Sequence, residues 1–192
     1  MEVHKCIHNK NGFLEGPLIL KTEIFKDERG SFTESWNMHK FNKIVNKNID
    51  FVQDNQSISD KGVLRGMHFQ ITPLDQGKLV RCISGKVFDV IIDLRKKSDT
   101  FGLWAGIKLD ALNANQLWIP SGFAHGFLSL ERNTVFQYKV TNPYSKKHER
   151  SLIWNDSKIK VKWPEINGQF IISKKDLEAP SFETLEYSNA LF

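Results

Sequence analysis

From Phe51 to Val140 the chain reads as a succession of short extended runs with no helical periodicity between them, and this constrains the fold more than any other feature. The runs are Phe51 to Ser57, Val63 to Gln70, Lys78 to Ile83, Val87 to Leu94, Leu103 to Leu109, Gln116 to Ile119, Phe123 to Leu130 and Thr134 to Val140, punctuated by glycine, proline, asparagine or aspartate. Parallel strands need long crossovers, usually helical, so spacing of this kind predicts an all-β, antiparallel sandwich or barrel. Ahead of the runs, Glu15-Gly-Pro17 reads as a turn, Leu18 to Phe25 as a strand, Lys26 to Gly30 as a charged turn and Ser31 to Trp36 as extended chain. Asn37 to Asn46 has an N-cap residue and apolar side chains at Met38, Phe41, Ile44 and Val45, which predicts a short helix. The tail from Ile171 to Glu178 reads as a strand end running into a helical turn. A chain of 192 residues, 40% hydrophobic with 14 Phe and 5 Trp, suffices for one domain, residues 1–192, with a substantial core. It contains no repeat or linker.

The 27 basic residues outnumber the 22 acidic ones, giving a net charge of +5 and a sequence pI near 9.1. Anionic partners are favoured, yet the basic residues are dispersed beyond pairs such as Lys96-Lys97, Lys146-Lys147 and Lys174-Lys175. A phosphorylated small molecule accounts for the charge as well as nucleic acid does, and a solvated surface accounts for most of it. The 2 cysteines, Cys6 and Cys82, and the absence of a secretory hydrophobic region after Met1 fit a reducing compartment. No apolar run approaches the length of a membrane span. A cytoplasmic protein without membrane or nucleic-acid partners is expected.

Two strands carry chemistry. Gly62-Val-Leu-Arg-Gly-Met-His-Phe-Gln70 holds Arg65 and His68 three residues apart, so a regular strand would point them to opposite faces. Gly66 between them suggests a bulge that would bring both to one face. Ile119-Pro-Ser-Gly-Phe-Ala-His-Gly-Phe127 repeats the pattern around His125. Along Lys86 to Asp93 and on to Leu94, one face carries Phe88, Val90, Ile92 and Leu94 and the other Val87, Asp89, Ile91 and Asp93. If the apolar face packs between sheets or at a subunit boundary, Asp89 looks into a cavity and needs a partner, because a buried unpaired carboxylate costs several kcal/mol. Otherwise Asp89 faces water. Lys78 at a strand start and Tyr138 among apolar neighbours read, by themselves, as an exposed ammonium and a core aromatic.

In order and spacing, the runs Gly62 to Gln70, Gln76 to Arg81, Phe88 to Arg95, Gln116 to Phe127 and Tyr138 to Trp154 resemble the dTDP-4-dehydrorhamnose 3,5-epimerases, over roughly Glu23 to Pro180. The resemblance implies a double-stranded β-helix of the cupin jelly-roll type. It implies that Arg65, His68, Lys78, His125, Tyr138 and Asp176 fall on active-site positions. His68 is then the base, oriented by Asp176; Lys78 lies near the C4 oxygen; Tyr138 is the acid on the opposite face. Asp89 supports His125. Arg65 and Arg29 suit the diphosphate, Gln53, Asn55 and Phe32 the nucleotide, Tyr144 stacks on the base, and Glu34 lies near the nucleotide or the subunit contact. Met67, where the family often has leucine, and Ser121 depart from the pattern without touching a chemical role. The implied reaction converts dTDP-4-dehydro-6-deoxy-glucose to dTDP-4-dehydro-L-rhamnose without a cofactor, in a homodimer that exchanges β-strands and lends Arg29 to its neighbour. Epimerisation at only C3 or only C5 stays open. A cupin metal centre is disfavoured, because the residue two beyond His68 is Gln70, a poor ligand for a first-row transition metal.

Overall fold

The computed structural model describes residues 1–188 and 190–192. In chain order its elements are β1 (Glu2–Ile7), β2 (Phe13–Lys21), β3 (Phe25–Asp27), β4 (Gly30–Phe32), α1 (Met38–Val45), β5 (Gln53–Ser59), β6 (Val63–Gln70), β7 (Lys78–Ser84), β8 (Lys86–Asp93), β9 (Trp104–Asp110), β10 (Gln116–Ile119), β11 (Phe123–Ser129), β12 (Thr134–Val140), β13 (Glu149–Ser151), β14 (Ile171–Ile172), α2 (Lys174–Leu177) and α3 (Phe182–Tyr187). The strands β5 to β12 are the runs read from the sequence, to within a few residues at each end. They divide between two antiparallel sheets, β10-β7-β12-β5 in one and β6-β11-β8-β9 in the other, changing sheet at every step except the β8–β9 hairpin, which is the jelly-roll order. β1 and β2 extend the first sheet beyond β10, and β13 flanks β6 in the second, where β14 also pairs with β6.

The N-terminal region departs from the sequence reading. Glu15-Gly-Pro17 lies inside β2, and β1 is an additional strand. The register between them jumps from Lys5↔Leu18 to Ile7↔Phe13, so the turn-forming residues sit in an irregular bulge that leaves pairing intact on either side. The helix forms where expected: Asn37 caps it by accepting from Lys40 N, and Asn46 closes it in the left-handed conformation, with φ 52°. No helix among the described residues is long and apolar enough to cross a membrane.

Side chains from both sheets fill the interior, including Val80, Val87, Ile91, Leu109, Leu117 and Phe136. Each fully buried aliphatic or aromatic side chain of this kind contributes roughly 1.5–3 kcal/mol. On the outside of the first sheet, α1 closes an aromatic cluster of Trp36, Phe41, Phe51 and Trp118. Val90, Ile92 and Leu94 on the outside of the second sheet lie under Leu152, Ile159, Phe182, Leu185 and Leu191, and Phe88 meets Trp163 at 6.1 Å. The expectation that this face packs at a subunit boundary is corrected: the chain's own C-terminal segment covers it.

β6 contains the expected bulge. His68 pairs with His125 and Arg65 with Phe127, so three steps along β6 oppose two along β11. Gly66, at φ 123°, lies against Gly126; a Cβ on Gly126 would sit 2.7 Å from Met67 Sδ and 2.8 Å from the Arg65 carbonyl. Both contacts are too short for a carbon. Gly126→Ala is expected to force the strands apart and cost about 1–3 kcal/mol, a fall in Tm of roughly 3–10 °C for a chain of this size. Calorimetry checks it, and an unchanged Tm counts against the close approach.

Candidate active site

A cavity of about 560 Å³ opens between the two sheets and brings together Arg65, His68, Lys78, His125, Tyr138 and Asp176. Alternation explains most of this set: Lys78 and Tyr138 share the inward parity of Val80 and Phe136, and His125 that of Phe123 and Phe127. Arg65 and His68 need the bulge as well. Asp176 arrives from α2, whose N-cap Ser173 follows directly on β14, so pairing of β14 with β6 sets it beside His68.

His68 Nε2 lies 2.6 Å from Asp176 Oδ1, and Asp176 Oδ2 accepts from the Gly66 peptide N–H at 3.3 Å. Burial pushes the Asp176 carboxyl up, but the bonds from His68 and Gly66 prevail and hold it below the usual carboxylate range. It stays ionised. With Nε2 engaged, Nδ1 is the ring nitrogen left to exchange a proton, and the side chain, 34% exposed, is open enough for that.

Lys78 comes from the facing sheet. Burial lowers its ammonium to about 8; Nζ donates to Gln76 Oε1 at 2.9 Å and lies 5.9 Å from the centre of the Tyr138 ring. The Tyr138 phenol is pushed up, chiefly by burial, so it keeps its proton at neutral pH and can only give it away. Arg65 Nε donates to Ser59 Oγ at 3.1 Å and Nη2 to the Ile58 carbonyl at 3.3 Å, which aims the guanidinium along the cavity wall.

Asp89 does not line the cavity. It is fully buried behind His125, whose Nε2 is 2.9 Å from Oδ2, and neither of the sequence alternatives, cavity or water, describes it. Burial raises its carboxyl despite the histidine, and Oδ1 has no hydrogen-bond partner. Gln53, Asn55 and Tyr144 stand one step outside the lining: Gln53 Nε2 donates to Asn55 Oδ1 at 2.7 Å, Gln53 Oε1 accepts from Tyr144 N at 3.0 Å, and the Tyr144 hydroxyl donates to Glu149 Oε2 at 3.1 Å. Glu149 also meets Lys175 at 2.6 Å. Arg29, Phe32 and Glu34 are not brought to the cavity of their own chain. Arg29 pairs with Asp27 and Phe32 is 69% exposed, since among the described residues the β3–β4 hairpin pairs only with itself, and Glu34, just beyond it, accepts from Lys40 at 2.7 Å.

Sequence reading missed Ser57, Ser173, Lys175 and Glu149. Ser57 shares the inward parity of Asn55, and its buried Oγ has no partner. Lys175 adjoins Asp176, whereas nothing in the local sequence marks Glu149. Among the described residues, no group of three or more His, Cys, Asp or Glu side chains is placed to hold a metal ion.

A sequence profile described as dTDP-4-dehydrorhamnose 3,5-epimerase matches residues 12–184. The enzyme of that name from Shigella flexneri is 50% identical over 170 residues, covering 88% of this chain and 93% of its own. Its namesake from Salmonella typhimurium is 52% identical over 163 residues, covering 85% and 88%. The crystal structure of a dTDP-6-deoxy-D-glucose-3,5-epimerase from Legionella pneumophila, in complex with dTDP-4-keto-L-rhamnose, superposes with a TM-score of 0.89 at 38% identity over 99% of this chain and 97% of that one. The chain, with its jelly-roll order and a His68–Asp176 pair facing Lys78 and Tyr138, therefore belongs to the dTDP-4-dehydrorhamnose 3,5-epimerase family.

Proposed function

We propose that the protein epimerises C3 and C5 of dTDP-4-dehydro-6-deoxy-D-glucose to give dTDP-4-dehydro-L-rhamnose. The observation that carries this reading is a base and an acid on facing sheets, His68 on β6 and Tyr138 on β12, with a buried cation, Lys78, in the same cavity. His68 takes the proton next to the ketone, the C–H electron pair moves to the C4 oxygen as an enolate, and Lys78 stabilises that charge. Tyr138 then delivers its proton to the other face of the carbon, which inverts it. Solvent returns a proton to Tyr138 and removes one from His68. One ketone acidifies both carbons, so one set of groups serves twice. Arg65 and Lys175, at the cavity wall, suit the diphosphate, and Tyr144, half exposed, suits the thymine.

The same reading makes the working unit a homodimer of single-domain subunits in the cytoplasm. Two features support the dimer. Among the described residues β5 is an edge strand with β12 as its one sheet neighbour, and the β3–β4 hairpin stands outside both sheets with Phe25 and Phe32 exposed. A hairpin laid along the partner's β5 edge would carry Arg29, Phe32 and Glu34 toward that subunit's Gln53 and Asn55. The free, buried thiols of Cys6 and Cys82 suit a reducing compartment.

Turnover of the nucleotide sugar in heavy water should place deuterium at C3 and C5; label at one carbon alone would make the protein a mono-epimerase. His68→Asn should abolish uptake at both carbons, a loss on the order of 10²–10⁴-fold, while nucleotide binding persists. Tyr138→Phe should still ionise the substrate, giving deuterium in sugar of unchanged configuration while epimerised product falls by a similar factor. An unaltered ratio of exchange to inversion in the folded variant, read by proton NMR, would assign the acid elsewhere. Since the chemistry uses the charged form of Lys78, whose ionisation is lowered to about 8, kcat/KM should fall as pH rises through that value; a profile flat to pH about 10 contradicts the role. Light scattering should find a dimer, and a fully active monomer would dispose of the shared site.

A further inference from the structure

Gln76 stands next to the site without touching the cavity. Its Nε2 donates to the Asn142 carbonyl at 2.7 Å, which fixes the amide so that Oε1 faces the other way and accepts from Lys78 Nζ. The segment that carries it is stitched to the end of β12: Asn142 Nδ2 donates to the Asp75 carbonyl at 2.7 Å, Gly77 N to Thr141 Oγ1 at 2.8 Å, and Thr141 N to the Gly77 carbonyl at 3.1 Å. Among the described residues, Gln76 Oε1 is the hydrogen-bond acceptor of this ammonium. The acid that acts on Lys78 from a distance is Glu149, on β13, and its Oε2 is already engaged by Tyr144 and Lys175. His68, His125, Arg65, Lys175, Asp176 and the Tyr138 phenol share the cavity.

We infer that Gln76 is the positioning residue for Lys78: its locked amide aims the ammonium into the cavity while leaving the positive charge uncancelled for the substrate's developing oxyanion. An amide is required at this point because one end must donate to a carbonyl and the other must accept from a cation. A carboxylate of the same size would pair with the lysine, neutralise its field and turn its second oxygen against the Asn142 carbonyl. An apolar side chain would leave a buried ammonium without an acceptor, favouring loss of its proton. The inference rests on the reading of Lys78 as the group that faces the C4 oxygen.

The test is the alkaline limb of the kcat/KM profile in Gln76→Glu and Gln76→Met, with thermal melting to confirm that each is folded. Gln76→Glu should move the limb upward by about one pH unit or more while lowering kcat at pH 7 on the order of tenfold, since the oxyanion loses its cation. Gln76→Met should move the limb downward. KM should change less than kcat in both, because the diphosphate is held elsewhere. A purely structural glutamine would lower stability and leave the limb in place, and that result in either folded variant overturns the inference. Lys78→Met separates the two readings. If it retains the limb, the role of Lys78 falls and the inference falls with it; if it abolishes the limb while the Gln76 variants leave it unmoved, the inference about Gln76 alone is wrong.

Discussion

The close approach of two backbones at Gly66 and Gly126 is the constraint on which the site depends. A strand of regular pleat would turn either Arg65 or His68 out of the sandwich, where Met67 and Phe69 lie under the C-terminal segment. One extra residue in β6 removes that conflict, and it fits because neither glycine carries a side chain at the point of contact. The same local geometry frees the Gly66 N–H from the ladder and lends it to Asp176. A single irregularity therefore brings His68 and Arg65 into one cavity and sets a carboxylate, Asp176, behind the imidazole.

Two histidine–carboxylate pairs serve the cavity, and their surroundings differ. Asp176 has a second donor in the Gly66 peptide and a partner that is one-third exposed, so its charged form is favoured. Asp89 has one partner, no solvent and an oxygen without any donor, so burial disfavours its charged form. An imidazolium is accommodated beside an ionised carboxylate, as at Asp176, and is resisted where burial disfavours the carboxylate, as at Asp89. Two pairs that look alike in sequence are thus separated by their hydrogen-bond environment. His125, stacked on Phe136 and held by Asp89, presents an imidazole of fixed orientation to the cavity.

How much of this was legible in the sequence follows from the range of the interactions concerned. β5 to β12 and the position of α1 are written in alternation, turn residues and an N-cap, all local signals. The bulge was legible because a lone glycine between two polar residues of a strand marks the point where the pleat breaks. The fate of the Phe88, Val90, Ile92 and Leu94 face was not, since its cover is a segment some sixty to a hundred residues further on, from Leu152 to Leu191, whose apolar residues lack a regular period. Glu149 escaped for a related reason: its partners, Tyr144 and Lys175, meet it only after β13 and β14 have docked on β6. The turn assigned to Glu15-Gly-Pro17 failed differently, because a bulge and a turn require the same residues and only the pairing partner β1 distinguishes them.

The chain's own C-terminal segment covers the outer apolar face of the second sheet, so the proposed association rests on the first sheet instead. There the unmet demand is backbone hydrogen bonding along the outer edge of β5, together with the isolated hairpin. An exposed edge strand recruits another strand unless something blocks it. Along β5 the residues alternate between Asn55 and Ser57, turned toward the cavity, and Asp54 and Ile58, turned away. Any strand added there has its own inward residues beside Asn55 by the same alternation. An edge left open beside a substrate cavity is a place where a second chain can contribute side chains to the first one's site. In the proposed dimer this edge would account for Arg29 and Phe32, which are exposed on a short hairpin and do not line the cavity of their own subunit.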